Sequence, residues 1–172
     1  MDVYEAIRKR KSVRRYKDKE VEQEKLTRIL EAARLAPSAS NKQEWRFVVV
    51  QDKEKRRKLS AEAARGQKFV EEAPVVIACC AETDNHEMTC GQLCYPIDVA
   101  IAIDHITLAA VEEDLGTCWI GAFYEDKAKN ILNIPDRIRI VELLTLGYPA
   151  DDSIKKKSRL PIETIVKWEK WE

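Results

Sequence analysis

The chain has 172 residues, 45% of them hydrophobic, which suits one domain with a real core and is too short for two of ordinary size. Its thirty basic residues balance thirty acidic ones, so no global field draws it onto nucleic acid or an anionic membrane, and partners must be read from local sites. Five cysteines are an odd number, and Cys79, Cys80 and Cys118 lie in strand-like apolar runs where cysteine behaves as a small hydrophobe; this argues against a disulfide framework.

The amino terminus has no apolar signal core, and the most hydrophobic stretch, residues 97–111, is broken by Asp98, Asp104 and His105. A cytoplasmic protein with no membrane span is expected. Asp2 followed by Glu5 has the form of a capping box, and Val3, Ile7 and Arg10 share a helical face, so the spacing predicts a helix over residues 2–10. At its end stands Arg10-Lys11-Ser12-Val13-Arg14. If this stretch leaves the helix in extended form, Arg10, Ser12 and Arg14 project to one side. Two guanidinium forks and a hydroxyl are a geometry for holding a phosphate; the competing reading of residues 8–15 is a solvated charge run or a nucleic-acid patch.

Leu26, Ile29, Leu30, Ala33 and Ala36 recur at helical spacing, predicting a helix over residues 21–36 that Pro37 stops. The loop Pro37-Ser38-Ala39-Ser40-Asn41-Lys42-Gln43-Glu44-Trp45 follows, and then the strand Arg46-Phe47-Val48-Val49-Val50. Ser and Asn in such a loop either meet the ring nitrogens and carbonyls of a heteroaromatic ligand or close an Asx turn. Residues 52–65 alternate charges and predict an exposed helix. Residues 75–81 form a continuous apolar run suited to a central strand covered on both faces.

His86, Cys90 and Cys94 recur every fourth residue, so on a helix they would share a face. Three ligands are one short of a structural zinc site and no Cys-x-x-Cys pair accompanies them, so loop or core cysteines are the reading and no metal is expected. Residues 97–115 are apolar nearly all round and must be buried on every side. In so small a domain one sheet covers one flank of such a helix; a second chain covering the other predicts a homodimer with this helix at or near the interface. Gly116 reads as the cap of that helix, Thr117-Cys118-Trp119-Ile120-Gly121 as a strand entering a Gly-Ala turn, residues 125–132 as a helix and residues 138–146 as a strand. The tail Lys155-Lys156-Lys157-Ser158-Arg159-Leu160-Pro161 is a second basic knot. Helices and strands alternating over the whole length argue for three layers, with a mixed sheet between helices.

No Gly-x-Ser-x-Gly elbow, HExxH motif or glycine-rich phosphate loop can be drawn. A phosphate-bearing cofactor would have to be held by side chains, and the absence of an evident acid, base or nucleophile fits a protein whose cofactor carries the chemistry.

Four motifs in order then resemble the FMN-dependent nitroreductase family of NAD(P)H oxidoreductases, in a short form, over nearly all of residues 4–165. They are Arg10-Lys11-Ser12-Val13-Arg14, the Pro37 to Trp45 loop, Gly116-Thr117-Cys118-Trp119-Ile120-Gly121-Ala122-Phe123, and Lys157-Ser158-Arg159-Leu160-Pro161 after Gly147-Tyr148-Pro149. The resemblance implies an α+β, three-layer α/β/α nitroreductase-like fold, a single FMN-binding domain over residues 1–172, whose C-terminal extension reaches the partner subunit. It implies a homodimer with two FMN sites at its interface and NAD(P)H as electron donor. Positions matching Arg10, Lys11, Ser12, Arg14, Lys157 and Arg159 hold the phosphate and ribityl chain; those matching Pro37, Ser38, Ala39, Ser40 and Asn41 reach the isoalloxazine from the partner; Ile120, Gly121 and Ala122 form the turn whose backbone N–H faces flavin N5. Hydride would pass from NAD(P)H to the flavin and on to a nitroaromatic, quinone or similar small acceptor in a ping-pong cycle, with no catalytic side chain.

Two departures stand out. Glu44 occupies the place where the family usually has proline before Trp45, and a helical insertion that lines the substrate channel of longer members is lacking. A flavin-binding or flavin-delivery module is the alternative function. A nucleic-acid-binding protein is a third, opposed by balanced charge and by the lack of aromatics beside the basic knots.

Overall fold

The computed structural model describes residues 1–151 and 157–171; Lys155 and Lys156 of the second basic knot lie outside them. Asp2 caps the first helix, α1 (Val3–Lys9), its carboxylate accepting the Glu5 N–H at 2.7 Å and so satisfying one of the donors a helix start leaves free. The amphipathic α2 (Gln23–Arg34) buries Leu26, Ile29 and Ala33. The strand β1 (Trp45–Val50) leads into α3 (Lys53–Lys58), a π-helical turn (Leu59–Ala63) and α4 (Lys68–Glu72). The strand β2 (Val75–Ala81) precedes the long α5 (Cys94–Glu112), followed by β3 (Gly116–Ile120), α6 (Glu125–Leu132), β4 (Arg139–Gly147) and a short α7 (Ile162–Ile165).

The sheet order is β1-β2-β4-β3, antiparallel at every strand pair. The parallel contribution among the described residues is one bridge, Ser12 to Thr117, on the outer edge of β3. Every residue of β2 is buried, and alternation sends neighbours to opposite faces. Val75, Ile77 and Cys79 join Leu144 and Leu146 beneath α2 and α5; Val76, Ala78 and Cys80 join Leu143 and Ile120 beneath the π turn and α6. The three-layer α+β expectation holds, but the strands form an antiparallel sheet and not the mixed one expected, because the parallel pairing at the β3 edge stops at a single bridge.

By length and mean hydropathy α5 could cross a membrane. Its composition serves another end here, since Val99, Ala102, Ile103, Ile106 and Ala110 are buried between α2 and the sheet. One flank is less covered, with Ile97 43% exposed and Ile101 and Ala109 only partly buried.

Two local expectations need correction. Residues 52–65 are not an exposed helix throughout, because Leu59, Ser60 and Ala63 of the π turn are buried. Gly116 does not cap α5; the left-handed residue after that helix is Asp114, at φ 60°, and Gly116 opens β3 opposite Gly147. What Gly116 supplies is room, since a Cβ there would lie 2.4 Å from Val13 Cγ2.

Candidate functional site

The first basic knot is extended, as expected, and hydrogen bonds lay it along the β3 edge and along the segment that follows β4. The Val13 N–H donates to the Thr117 carbonyl at 2.9 Å, the Lys17 N–H to the Tyr148 carbonyl at 2.8 Å and the Ala150 N–H to the Arg15 carbonyl at 2.9 Å. Val13 is buried against Gly116, so the alternate residues Ser12 and Arg14 face outward. The buried Tyr16 hydroxyl donates to the Val13 carbonyl at 2.7 Å and lies 2.7 Å from Thr145 Oγ1. Burial pushes its phenol far above the ordinary range, so it stays a neutral anchor.

Arg10 meets the other end of the chain. The Lys157 ammonium donates to the Ile7 carbonyl at 2.5 Å. Burial and then the neighbouring charges of Arg10 and Arg159 hold its pKa below the usual value. None of these three cations has a carboxylate partner among the described residues. A cluster of like charge without a protein anion is an anion site in waiting, which is the fit a phosphate group needs. Ser12 and Arg14 stand beside it, both acting on the Cys118 thiol, which burial nevertheless keeps above its usual pKa. Arg14 also lies 5.8 Å from the centre of the Phe69 ring. Lys11 points elsewhere, donating to the Asp151 carbonyl at 2.8 Å, so it is not brought in among Arg10, Lys157 and Arg159.

The loop before β1 is built on strained backbone. Ser40, Asn41 and Gln43 have φ of 50°, 54° and 52°, values that serine and glutamine seldom adopt. The conformation is held by Asp98 of α5, whose two carboxylate oxygens each lie 3.1 Å from the Ala39 N–H donor, and by Ser38 Oγ, which accepts the Gln43 N–H at 3.0 Å. Pro37 and Ser38 lead into this turn, and Lys42 ties it to Asp84 at 2.8 Å. Glu44 is buried, with Oε2 lacking a hydrogen-bond partner among the described residues. Its carbonyl accepts the Glu82 N–H at 2.9 Å, so the backbone here stays in register where proline would stiffen it.

At the end of β3, Ile120 is buried and Gly121 and Ala122 turn outward. The Gly121 carbonyl accepts the Phe123 N–H at 3.1 Å, and Gln67 Nε2 donates to the Ala122 carbonyl at 3.2 Å. This turn and the 37–44 loop belong to opposite edges of the four-stranded sheet. Three strand spacings, about 14 Å, separate those edges. The protomer therefore brings together Arg10, Ser12, Arg14, Lys157 and Arg159 but keeps the 37–41 loop apart from the Gly121 turn.

His86 and Cys90 lie in a loop while Cys94 begins α5, so the three do not share a helix face; among the described residues no three metal-ligating side chains are grouped. Two residues that sequence reasoning passed over belong to the site. Asp98 holds the loop, and Glu142 stands behind the Gly121 turn, where a Cβ at Gly121 would be 3.6 Å from Glu142 Oε1. Each is a carboxylate inside a mostly apolar run, Asp98 sharing its run with Asp104, and that pattern alone does not tell a buried carboxylate from a solvent-facing one.

The model of the Nitroreductase family matches residues 7–93 and 61–148. The chain belongs to the nitroreductase family. An NAD(P)H FMN reductase of Bacillus subtilis is 36% identical over 95% of this chain and 72% of its own. An NADH dehydrogenase of Thermus thermophilus is 33% identical over 98% and 96%. A crystal structure of a nitroreductase family protein from Clostridium difficile superposes with a TM-score of 0.89 at 34% identity, covering 99% of this chain and all of that one. The nitroreductase fold is thus shared over nearly the whole chain.

Proposed function

We propose that this nitroreductase-family protein is an FMN-dependent NAD(P)H oxidoreductase that reduces a nitroaromatic, quinone or similar small acceptor in a ping-pong cycle. When bound, FMN supplies the two-electron transfer between NAD(P)H and the acceptor. The protein's own residues do the holding. Arg10, Arg159 and Lys157 neutralise the phosphate, Ser12 and Arg14 reach the adjoining polar chain, and Lys11 sets the end of the knot by its bond to the Asp151 carbonyl. The Ile120-Gly121-Ala122 turn offers the backbone N–H groups of Gly121 and Ala122 toward the ring, and the surrounding positive charge favours electron density arriving there.

The loop from Pro37 to Asn41 completes the site from a second copy. Support for a homodimer comes from the separation of loop and turn within one protomer and from the large apolar side chains left exposed, namely Val3, Tyr4 and Ile7 on α1, Ile97 on α5, and Ile162, Ile165, Trp168 and Trp171 in the tail. On this reading residues 1–172 act as one domain in the cytoplasm, and the tail beyond Pro161 reaches the partner.

The observation that carries the proposal is the cationic cluster drawn from both ends of one chain, without a carboxylate partner among the described residues, in a family whose relatives include FMN reductases. The test is the visible spectrum of the purified protein before and after NADH or NADPH is added under argon. A yellow protein whose flavin band bleaches rapidly is expected. A protein that takes up no FMN overturns the assignment, and one that stays yellow with both nicotinamides is a flavin carrier, not a reductase.

A further inference from the structure

Glu142 sits on β4 opposite Cys79 of β2, one residue before the Leu143 that pairs with Ile120 at the end of β3. Its Oε1 is buried and has no hydrogen-bond partner among the described residues. Both oxygens face the Gly121 turn, where a Cβ would come to 3.6 and 3.7 Å of them; with glycine in place nothing stands between the carboxyl and that turn at this point. Burial pushes its pKa up to about 7, against the Ile120 backbone N–H, which favours the charged form. The groups around it leave it uncompensated. Cys79 on β2 and Cys118 on β3 feel its charge but are themselves held neutral by burial. Arg139, on its own strand, is taken by Glu125 of α6 at 3.0 Å, and Asp98 of α5 is engaged by the Ala39 N–H.

We infer that Glu142 is a proton-holding positioning residue for the bound flavin, taking up a proton from solvent when negative charge arrives at the ring behind the Gly121 turn and releasing it when the charge leaves. The inference rests on the reading that this turn faces FMN. A hydride from NAD(P)H carries two electrons and one proton, so the ring gains one negative charge while the Glu142 carboxylate takes a second proton from solvent and becomes neutral. When the acceptor takes two electrons and both protons, the ring is neutral again and Glu142 is once more a carboxylate. At an effective dielectric of about 20, new negative charge about 6–12 Å from a carboxylate raises its proton affinity on the order of tenfold to a hundredfold. Proton uptake then couples to reduction over the pH range just above neutrality.

The experiment is a spectroscopic redox titration of the FMN-loaded protein between pH 5.5 and 9, with Glu142→Gln beside the wild type. A two-electron couple moves by about 30 mV per pH unit for each proton taken up. The wild type is expected to steepen from one proton to two above pH 7 and to relax again at higher pH, whereas Glu142→Gln keeps the one-proton slope throughout. A purely structural role would shift the potential without changing the slope. The amide signals of Ile120 and Gly121 in the wild type give a second readout that needs no variant: their titration midpoint is expected to rise on reduction. Equal slopes in both proteins, or a midpoint unmoved by reduction, overturns the inference while leaving a yellow flavoprotein. A protein that stays colourless overturns the flavin reading itself and this inference with it.

Discussion

Gly116 and Glu142 show how single residues set the site. An alanine at Gly116 places its Cβ 2.4 Å from Val13 Cγ2 and 2.9 Å from Val13 Cβ, and Val13 is the pivot that turns Ser12 and Arg14 outward. Overpacking of this kind costs about 1–3 kcal/mol. Gly116→Ala is expected to lower the urea midpoint accordingly and to weaken FMN retention, whereas Gly121→Ala, whose nearest atoms lie at 3.6 Å, leaves stability within about 0.5 kcal/mol. Glu142 makes a pH prediction. Its pKa is raised in the fold, from 4.5 to about 7, so the native state binds the extra proton. That contribution is fully present below pH 4.5 and is lost as pH rises through 7. For a half-exposed group it is worth about 1.5 kcal/mol, well under what the shift alone implies. Urea unfolding from pH 5 to pH 8 should show the decline in the wild type, flattened in Glu142→Gln; parallel profiles would contradict it. Neither requirement was legible in the chain. Gly116 reads as a helix cap because its constraint comes from Val13, 103 positions away, and a carboxylate in a strand looks like any solvent-facing residue until its neighbours are known.

Elements were more legible than their edges and faces. The apolar runs in β2 and α5 and the spacing in α2 and α6 fixed those segments to within a few residues, because burial on one or both faces leaves a period in the sequence. The π turn escaped because its three buried residues are outvoted by the charges of α3. The 37–44 loop is the element on which function leans most, and its three non-glycine residues at positive φ are held from outside by α5. Strained backbone of this kind persists only where the surroundings impose it. Removing the acceptor with Asp98→Ala leaves the Ala39 N–H unsatisfied, at about 1–3 kcal/mol. Hydrogen exchange at residues 38–43 should then accelerate while β2 stays protected; an unchanged loop would show that Asp98 does not hold it.

At the scale of the whole molecule, the proposed flavin site, assembled from opposite sheet edges, calls for two copies. Sedimentation of the FMN-loaded protein should give a dimer, and a chain shortened to end at Arg159 should dissociate toward monomer and lose flavin, since Ile162, Ile165, Trp168 and Trp171 would have lost their role in covering a partner. A stable flavin-loaded monomer would contradict both. The order of the four motifs was legible without coordinates, as was the family. That Arg10, Lys157 and Arg159 come together was implied by the resemblance and not by spacing, because it depends on the tail returning to α1 across roughly 150 residues of chain, as in the bond from Lys157 to the Ile7 carbonyl; that Lys11 turns instead to the Asp151 carbonyl was not legible. The claim on which the account turns is that cations from both ends grip one phosphate. It is tested most directly by titrating FMN into the wild type and into Arg10→Ala/Arg159→Ala, following the quenching of flavin fluorescence. Two lost charge-assisted contacts at about 1.5–3 kcal/mol each predict binding weakened by about 100-fold or more; equal affinities for the two proteins would contradict it.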